Sequence, residues 1–312
     1  MFQKKCLLMR RVLKFVWSIL SRLRLTRLLS DGLFVRLQYF CWHGGSLNLT
    51  APRDYNEKIQ WQKLHYRNPL MKICCDKYDV REYVRMIIGE EYLCKCLGVY
   101  EKADEINFDE LPRSFVLKAT RASSWNIVCN DKEKIDCNKL LNNVSRWLND
   151  DFYEYGREWQ YQGGKRRVIC EQFIEGLSDN TTREYKLYTF HGVTKYIWVD
   201  VRRMDSSGSI VTSRNVYDAE YNFQPDKWIT LPPNLLVDDK PPSCLQQLKH
   251  LAYKLAKDFP QCRVDFYVTK EGRIYFGEMT FTSQGGCGLI YPQSFCDELG
   301  AYIDFGGADE SS

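Results

Sequence analysis

Two acidic residues thirteen positions apart, Asp265 and Glu278, have the spacing of side chains that face each other across a β-hairpin. The segment Lys270-Glu271-Gly272 between them is a turn signal. A loop of two or four residues would set Asp265 opposite Glu278, and Arg263 opposite Thr280. Carboxylates opposed in this way, with Cβ atoms about 5 Å apart, repel each other unless a cation lies between them. Because carboxylate oxygens suit Mg²⁺ that also holds nucleotide phosphates, the pattern predicts a Mg²⁺ site at Asp265 and Glu278.

The residues that alternate with these acids along the two predicted strands are apolar. Two-residue alternation puts them on the opposite face of the hairpin, where they would form a core layer. They are Val264, Phe266, Val268, Tyr275 and Met279. The alternative interpretation is an ordinary hairpin with a solvated acidic face.

Charge is unevenly distributed along the chain. The 312 residues carry a net charge of +4, but residues 1–36 hold nine Lys and Arg and one acid, so the remainder is net negative. A nucleic-acid partner is therefore not expected. The basic segment is too interrupted by charge to span a bilayer and lacks a signal-peptide cleavage site. We expect a basic amphipathic arm over residues 1–40 that contacts an anionic membrane surface through residues 1–36, the alternative being a helix packed on the domain.

The thirteen cysteines show no metal-site spacing, and no secretory signal accompanies them. Reduced, mostly buried thiols are therefore expected. We predict a cytoplasmic protein, peripheral at the inner face of the plasma membrane if the arm binds lipid.

The rest of the chain alternates between helical and strand patterns. Helices are predicted at 56–64, 75–84, 137–150 and 244–258. Strands are predicted at 91–100, 114–119, 126–129, 168–174, 184–190 and 193–202. The stretch 221–243 is rich in Pro and Asp and predicts a long loop. Mostly antiparallel strands with interspersed helices predict an α+β fold.

Two further groups of residues could contact a nucleotide. Lys118 ends a buried strand and opens a polar loop over residues 120–125, and a lysine beside free backbone N–H groups suits phosphates. Glu184 and Lys186 share one face of a strand, where one could meet a ribose and the other a phosphate. The alternatives are a surface lysine and an ordinary exposed sheet face.

Seven segments of the chain occur in an order that resembles one enzyme family. They are residues 56–61, 76–84, 111–118, 171–176, 185–186, 263–267 and 276–282. Over residues 48–300 this order resembles the TupA-like ATP-grasp family, which is named for teichuronopeptide synthesis and is found among cell-surface polysaccharide proteins. The resemblance implies an ATP-grasp fold, with two α+β subdomains enclosing a nucleotide cleft behind a short N-terminal helical region.

The resemblance also implies a role for each matching position. Asp265 and Glu278 would hold Mg²⁺, and Lys118 and Lys186 would contact the phosphates of ATP. The other contacts to ATP would come from Ser123, Ser124, Asn126, Glu171, Gln172, Phe173, Ile174 and Glu184, of which residues 171–174 form the adenine hinge and Glu184 lies near the ribose. Catalysis would involve Arg263, which stabilises charge on the acyl centre, together with Lys186. The acceptor substrate would be contacted by Lys77, Arg81 and Arg202.

Three departures from the family pattern affect these roles. The loop after Lys118 is glycine-rich in relatives, whereas here it is Ala122-Ser123-Ser124-Trp125-Asn126, whose residues are strained by any positive φ. Thr280 replaces the usual Asn two residues past the metal-binding Glu. Residues 283–286 are Ser-Gln-Gly-Gly where relatives tend to have Pro-Gly.

These patterns together predict an ATP- and Mg²⁺-dependent carboxylate–amine ligase that forms an amide through an acylphosphate. The expected substrates are an amine and a small-molecule or lipid-linked sugar acid of a cell-surface polysaccharide. The expected domains are the arm at 1–40, an N-terminal helical and α/β region at 41–112, and ATP-grasp subdomains at 113–172 and 173–312. The alternatives are a glycosyltransferase, against which the chain has no Asp-x-Asp motif, and a catalytically weakened nucleotide-binding or assembly protein.

Overall fold

The structure is a computed structural model that describes residues 2–176, 183–204, 210–231, 233–235 and 240–306. It divides into two compact units. Unit 1 comprises Met1–Arg67, Phe152–Gln162 and Thr282–Ser312, and unit 2 comprises Asn68–Asp151 and Gly163–Phe281. Among the described residues, no helix combines the length and the apolar character needed to cross a bilayer.

Helices and strands are numbered separately in chain order. The helices are α1 Phe2–Arg22, α2 Asp31–His43, α3 Tyr55–His65, α4 Pro69–Cys74, α5 Val80–Ile87, α6 Cys137–Asn149, α7 Tyr153–Gly156, α8 Leu245–Ala256 and α9 Gln293–Ala301. The strands are β1 Cys96–Tyr100, β2 Phe115–Ala119, β3 Asn126–Cys129, β4 Val168–Gln172, β5 Arg183–Phe190, β6 Val193–Met204, β7 Ile210–Asp218, β8 Trp228–Ile229, β9 Gln261–Val268, β10 Ile274–Thr280 and β11 Ile290–Tyr291.

In unit 1, the N-terminal helix α1 packs on α2. The ring of Trp17 lies edge-on to that of Phe34, with 5.0 Å between the centroids. Val35 and Tyr39 of α2 are buried in the same apolar cluster, and Leu13 packs against it. The segment before Ser46 therefore contributes large side chains to the core of this unit.

The rest of unit 1 is organised around α3. This helix begins at Tyr55 because the side chain of Asp54 accepts a hydrogen bond from the backbone N–H of Glu57 at 2.8 Å. Its buried Gln60 donates to the carbonyl oxygen of Gly286 at 3.0 Å and accepts from the buried amine of Lys63 at 2.8 Å. These hydrogen bonds fix the turn over residues 283–286.

Unit 2 contains two antiparallel sheets. The first has four strands in the order β1-β4-β2-β3, and the second has five in the order β10-β9-β5-β6-β7. The hairpin of β5 and β6, which turns at His191-Gly192, agrees with the prediction. Strand β7, which extends the second sheet, was not predicted. Helix α8 packs on β5, β6 and β9 through an apolar side that includes Leu248, Leu251 and Leu255.

The hairpin of β9 and β10 pairs the predicted residues, although its loop length and one strand differ from the prediction. Asp265 pairs with Glu278, and Arg263 pairs with Thr280, as expected. However, the loop between Val268 and Ile274 has five residues, and a β-bulge lies between Phe276 and Glu278. A loop with an odd number of residues shifts the pairing by one position, and the bulge shifts it back, so the two acids still face one another.

Because of the bulge, the predicted core face is wrong at one residue. Phe276, and not Tyr275, is the buried partner of Phe266, whereas Tyr275 pairs with Tyr267. Gly277 stands at the bulge, where an added Cβ would lie 3.0 Å from the carbonyl oxygen of Asp265. A residue without a side chain therefore suits this position.

Candidate active site

The second sheet of unit 2 presents a row of charged residues on one face. Adjacent strands bring Glu278, Asp265 and Lys186 side by side, because Asp265 pairs with Glu278 on one side and with Lys186 on the other. The amine of Lys186 lies 3.3 Å from Asp265 Oδ2. Strand pairing therefore brings together two acids and a lysine that are distant in sequence. Lys186 and Glu278 are 92 positions apart.

Arg263 joins the two acids of this row. Its guanidinium donates to both oxygens of Asp265, each at 2.7 Å, and to Glu278 Oε1 at 2.6 Å. Burial alone would raise the pKa of Glu278, but the charges of Arg263, Lys77 and Lys186 lower it to about 2. Both carboxylates thus have a cation between them, as the repulsion argument required, and in this structure that cation is a guanidinium.

Asp265 differs from Glu278 in its environment. Its side chain is 0% exposed, whereas that of Glu278 is 37% exposed. Burial raises the pKa of Asp265 despite the opposing charges of Arg263 and Lys186. The proton affinities of the two opposed acids are therefore pushed apart.

Lys186 is surrounded by carboxylates. Its amine lies 2.6 Å from Glu184, 3.3 Å from Asp265 and 3.9 Å from Asp200. Burial lowers the pKa of Lys186, but these negative charges outweigh burial, and the net shift is upward. The lysine is therefore a fixed positive charge at this site.

Three residues of this face were not identified from sequence. Asp200 on β6 accepts two hydrogen bonds from Arg214 on β7, at 2.5 and 2.9 Å. Tyr267 pairs with Glu184. The charge of Glu184 raises the pKa of Tyr267 well above the usual range, and burial and the charges of Glu278 and Asp265 add to this shift. The two-residue period could have found Tyr267, because it lies two positions after Asp265 along β9 and therefore shares its face.

In the first sheet, Glu171 binds two cations. It accepts a hydrogen bond from Lys118 at 2.8 Å and one from Arg81 at 3.0 Å. Burial lowers the pKa of Lys118, but the charge of Glu171 and weaker effects, including that of Glu278, raise it overall. Lys118 is thus not a solvent-facing surface lysine, since its side chain is only 18% exposed. Arg81, for which contact with the acceptor stays a prediction, donates to Glu171 and to the carbonyl oxygen of Cys94.

Lys77 connects the loop after Lys118 to the acidic row. Its amine donates to the carbonyl oxygen of Ala122 at 2.5 Å. Burial lowers the pKa of Lys77, and the charge of Glu278 opposes this shift while that of Lys118 adds to it. Lys77, Lys118 and Glu278 therefore belong to one electrostatic site.

The loop that follows Lys118 has the strain that its composition implies. Ser124 adopts φ +63°, a left-handed conformation that disfavours residues with a Cβ. Ser123 and Asn126 are exposed, and Asn126 pairs with Lys118 across β2 and β3. Both residues are therefore accessible from solvent, and their contact with phosphate stays a prediction.

A cavity of about 610 Å³ opens beside the predicted hinge. It is lined by Gln172, Phe173, Ile174, Glu175 and Gly176 on one side and by the β9–β10 loop with Tyr275 on the other. An adjacent cavity of about 650 Å³ shares Gln172 and Tyr275 and includes Arg81. Both volumes fall within the range of small-molecule sites.

All of the predicted site residues lie in unit 2. Arg202 lies in β6, but its side chain lies outside the described part of the structure. Within the described residues, no group of three or more His, Cys, Asp and Glu side chains could hold a metal ion. The pair Asp265 and Glu278 fits Mg²⁺ in the form that proteins use for nucleotides, in which one or two carboxylates are supplemented by phosphate and water oxygens. The roles in ATP and metal binding remain predictions.

Three known structures are similar to the chain, all at low sequence identity. D-alanine–D-alanine ligase from Bacillus anthracis is 18% identical, with 74% of this chain and 66% of that chain covered and a TM-score of 0.47. The ATP-grasp ligase PsnB complexed with a minimal precursor is 10% identical over 76% of this chain and 63% of that chain, with a TM-score of 0.40. VanG D-Ala:D-Ser ligase from Enterococcus faecalis is 14% identical over 67% of this chain and 52% of that chain, with a TM-score of 0.41. The chain spans less than two thirds of the length of each of these proteins.

No curated protein sequence matches the chain. The family comparison is decisive, because the TupA-like ATP-grasp model matches residues 57–304, which is most of the chain. This range contains all the charged residues of the candidate active site. The chain therefore belongs to the TupA-like ATP-grasp family and is an ATP-grasp ligase-like protein with an α+β fold.

Proposed function

We propose that this protein is an ATP- and Mg²⁺-dependent ligase that joins a carboxylate to an amine. The observation that carries the proposal is the row of Glu278, Asp265 and Lys186, bridged by Arg263 and electrostatically coupled to Lys118. Such a set suits phosphoryl transfer, where catalysis is mainly positioning and charge neutralisation. No covalent nucleophile is needed for this chemistry.

The proposed nucleotide site has an adenine end and a phosphate end. The cavity beside Phe173 and Ile174 would accept adenine, and the backbone of the hinge could hydrogen-bond its edge. At the phosphate end, Lys118 and Lys186 are half-buried or buried cations held by carboxylates. Because they are already ordered, little side-chain entropy would be lost when they bind phosphate.

Asp265 and Glu278 are the proposed ligands of Mg²⁺. When bound, Mg²⁺ would neutralise charge on the phosphates of ATP. In this structure Arg263 donates hydrogen bonds to both acids. Metal and nucleotide binding would therefore require Arg263 to release at least part of its contact with Glu278, the more exposed of the two. A guanidinium freed there could stabilise negative charge on an acyl group.

The proposed reaction has two steps. The substrate carboxylate oxygen attacks the γ-phosphorus of ATP and ADP leaves, which gives an acylphosphate. The amine nitrogen then attacks the acyl carbon, phosphate leaves, and a proton is lost from nitrogen to give the amide. The substrate class we propose, a sugar acid of a cell-surface polysaccharide, is supported by the resemblance to proteins of that pathway class. A cytoplasmic location would suit its use of ATP.

The test is phosphate release from ATP with pools of acids and amines. We expect release that requires Mg²⁺ and both substrates, and an amide product detected by mass spectrometry. Glu278→Gln should abolish release, while Glu133→Gln, on the exposed surface of the same unit, should not. Release that persists in EDTA, or that is unchanged in Glu278→Gln, would contradict the proposal.

A nucleotide-binding protein without turnover is the second candidate, and the strained Ser124 favours it. Equilibrium binding of ADP separates the two candidates. Binding with Mg²⁺ but no phosphate release with any acid and amine would support the non-catalytic candidate, whereas release above the Glu278→Gln background would exclude it.

A further inference from the structure

Helix α1 has two apolar stripes, and only one of them is used inside unit 1. Leu13 and Trp17, four residues apart, face α2, and Trp17 is only 7% exposed. Val12, Phe15, Val16 and Ile19 follow the spacing of a second stripe and are all exposed, Phe15 to 67%. A helix that is merely packed on a domain needs the first stripe but not the second.

Helix α2 and the segment before it carry further exposed apolar residues. Leu33, Leu37 and Phe40 of α2 are exposed with helical spacing. Leu23, Leu25 and Leu28 between the helices are also exposed, Leu28 to 83%. We name the set of exposed residues on α1, α2 and their connection the apolar face. Its members are Val12, Phe15, Val16, Ile19, Leu23, Leu25, Leu28, Leu33, Leu37 and Phe40.

Positive charge accompanies the apolar face. Residues 10–40 contain seven Lys and Arg and a single acid, Asp31. Arg11, Arg22 and Arg24 are exposed. Asp31 is directed elsewhere, since it lies 3.4 Å from the guanidinium of Arg157 and accepts a hydrogen bond from Tyr153. The acid therefore does little to neutralise the arginines of the face.

We propose that the apolar face is a docking surface for an anionic lipid bilayer. Exposed aliphatic and aromatic side chains would enter the headgroup boundary, and the flanking arginines would contact anionic headgroups. A second copy of the chain is a poorer occupant, because two such faces would bring their arginines together. This proposal goes beyond the proposed ligase function and does not depend on it.

Docking would involve the folded unit and not a detached arm. Trp17 of α1 and Phe34, Val35 and Tyr39 of α2 are core residues, so freeing either helix would expose them. The bilayer would therefore bind both helices in the packed arrangement. For the same reason, a truncation at Ser46 is a poor test, since it would remove part of the core.

The experiment uses the full chain and co-sedimentation with vesicles. One vesicle preparation is pure phosphatidylcholine, and the other contains 30% phosphatidylglycerol, a composition chosen for the assay and of the order found in anionic membranes. We expect at least about tenfold stronger binding to the anionic vesicles, weakened by 0.5 M salt. Equal binding to both preparations, or binding to neither, would overturn the proposal.

Two multiple variants separate the apolar and the ionic contributions. Phe15→Ser with Ile19→Ser removes exposed apolar groups, and Arg11→Gln with Arg22→Gln and Arg24→Gln removes charge. Each should reduce binding to anionic vesicles by about tenfold or more. Met86→Ser, an equally exposed apolar residue of unit 2, is the matched control and should bind as the wild type does.

Fold and association are checked in the same samples. The variants should keep the wild-type melting temperature, because the substituted side chains are exposed. Retained vesicle binding in both variants would overturn the proposal. So would a dimer of the wild type that the Phe15→Ser and Ile19→Ser variant dissociates, since the apolar face would then serve self-association.

Discussion

Lys118 donates its hydrogen bond to Glu171 across two neighbouring strands, at a distance of 2.8 Å. The lysine that we predict to contact phosphate is therefore positioned by the first residue of the predicted hinge. The same carboxylate also binds Arg81. One acid thus links the adenine end of the proposed site to its phosphate end.

Replacing Glu171 with Gln should make nucleotide binding more sensitive to alkaline pH. Burial lowers the pKa of Lys118 and Glu171 opposes it, so the pKa of Lys118 should fall when the carboxylate is removed. ADP affinity measured by fluorescence across pH 7–10 should then be lost at a lower pH than in the wild type. Glu133→Gln is the control. An unshifted alkaline limb would show that Lys118 does not bind the nucleotide.

Asp265→Asn should destabilise the fold more than Glu278→Gln does. Asp265 is fully buried and receives two hydrogen bonds from Arg263, so its loss leaves a buried cation poorly paired. We expect a decrease of about 3 kcal/mol in the free energy of unfolding. For Glu278, whose side chain is partly exposed, about 1 kcal/mol or less is expected. Urea denaturation measures both, and equal losses would contradict the difference in burial.

Acid should weaken the wild type through Glu278. Its pKa lies at about 2 in the folded protein and near its ordinary value of 4.5 in the unfolded chain. Between these values the unfolded chain binds more protons, so stability rises with pH in this window and is constant above it. Glu278→Gln should therefore have a shallower loss of stability between pH 5 and pH 2. Chemical denaturation at a series of pH values tests this, and parallel curves for the two proteins would refute it.

Ser124→Gly should relieve backbone strain in the loop after Lys118. Ser124 has φ +63°, where a Cβ costs about 1–2 kcal/mol, although a glycine also loses more entropy on folding. We expect a net gain in stability of up to about 1 kcal/mol. Ser123 has no positive φ, so Ser123→Gly should lower stability, and it serves as the matched control. If both variants are destabilised equally, the strain at Ser124 has no energetic consequence.

Sequence patterns predicted the fold class and the pairing of Asp265 with Glu278, but they missed what depends on distant strands. Asp200 and Arg214 lie on β6 and β7, and no local motif marks them. Strand β7 lacks strict alternation of apolar and polar residues, since Thr212, Ser213, Arg214 and Asn215 follow one another. The predicted face of Tyr275 was wrong because a single-residue bulge cannot be inferred from periodicity.

The bulge at Gly277 accommodates one extra residue in β10. Phe276 pairs with Phe266 and Glu278 pairs with Asp265, so Gly277 has no paired residue on β9. Without the bulge, Gly277 would lie opposite Asp265, Glu278 would turn into the apolar layer, and Met279 would turn out of it. Deleting Gly277 should therefore keep the two acids facing each other, because Glu278 would then follow Phe276 directly.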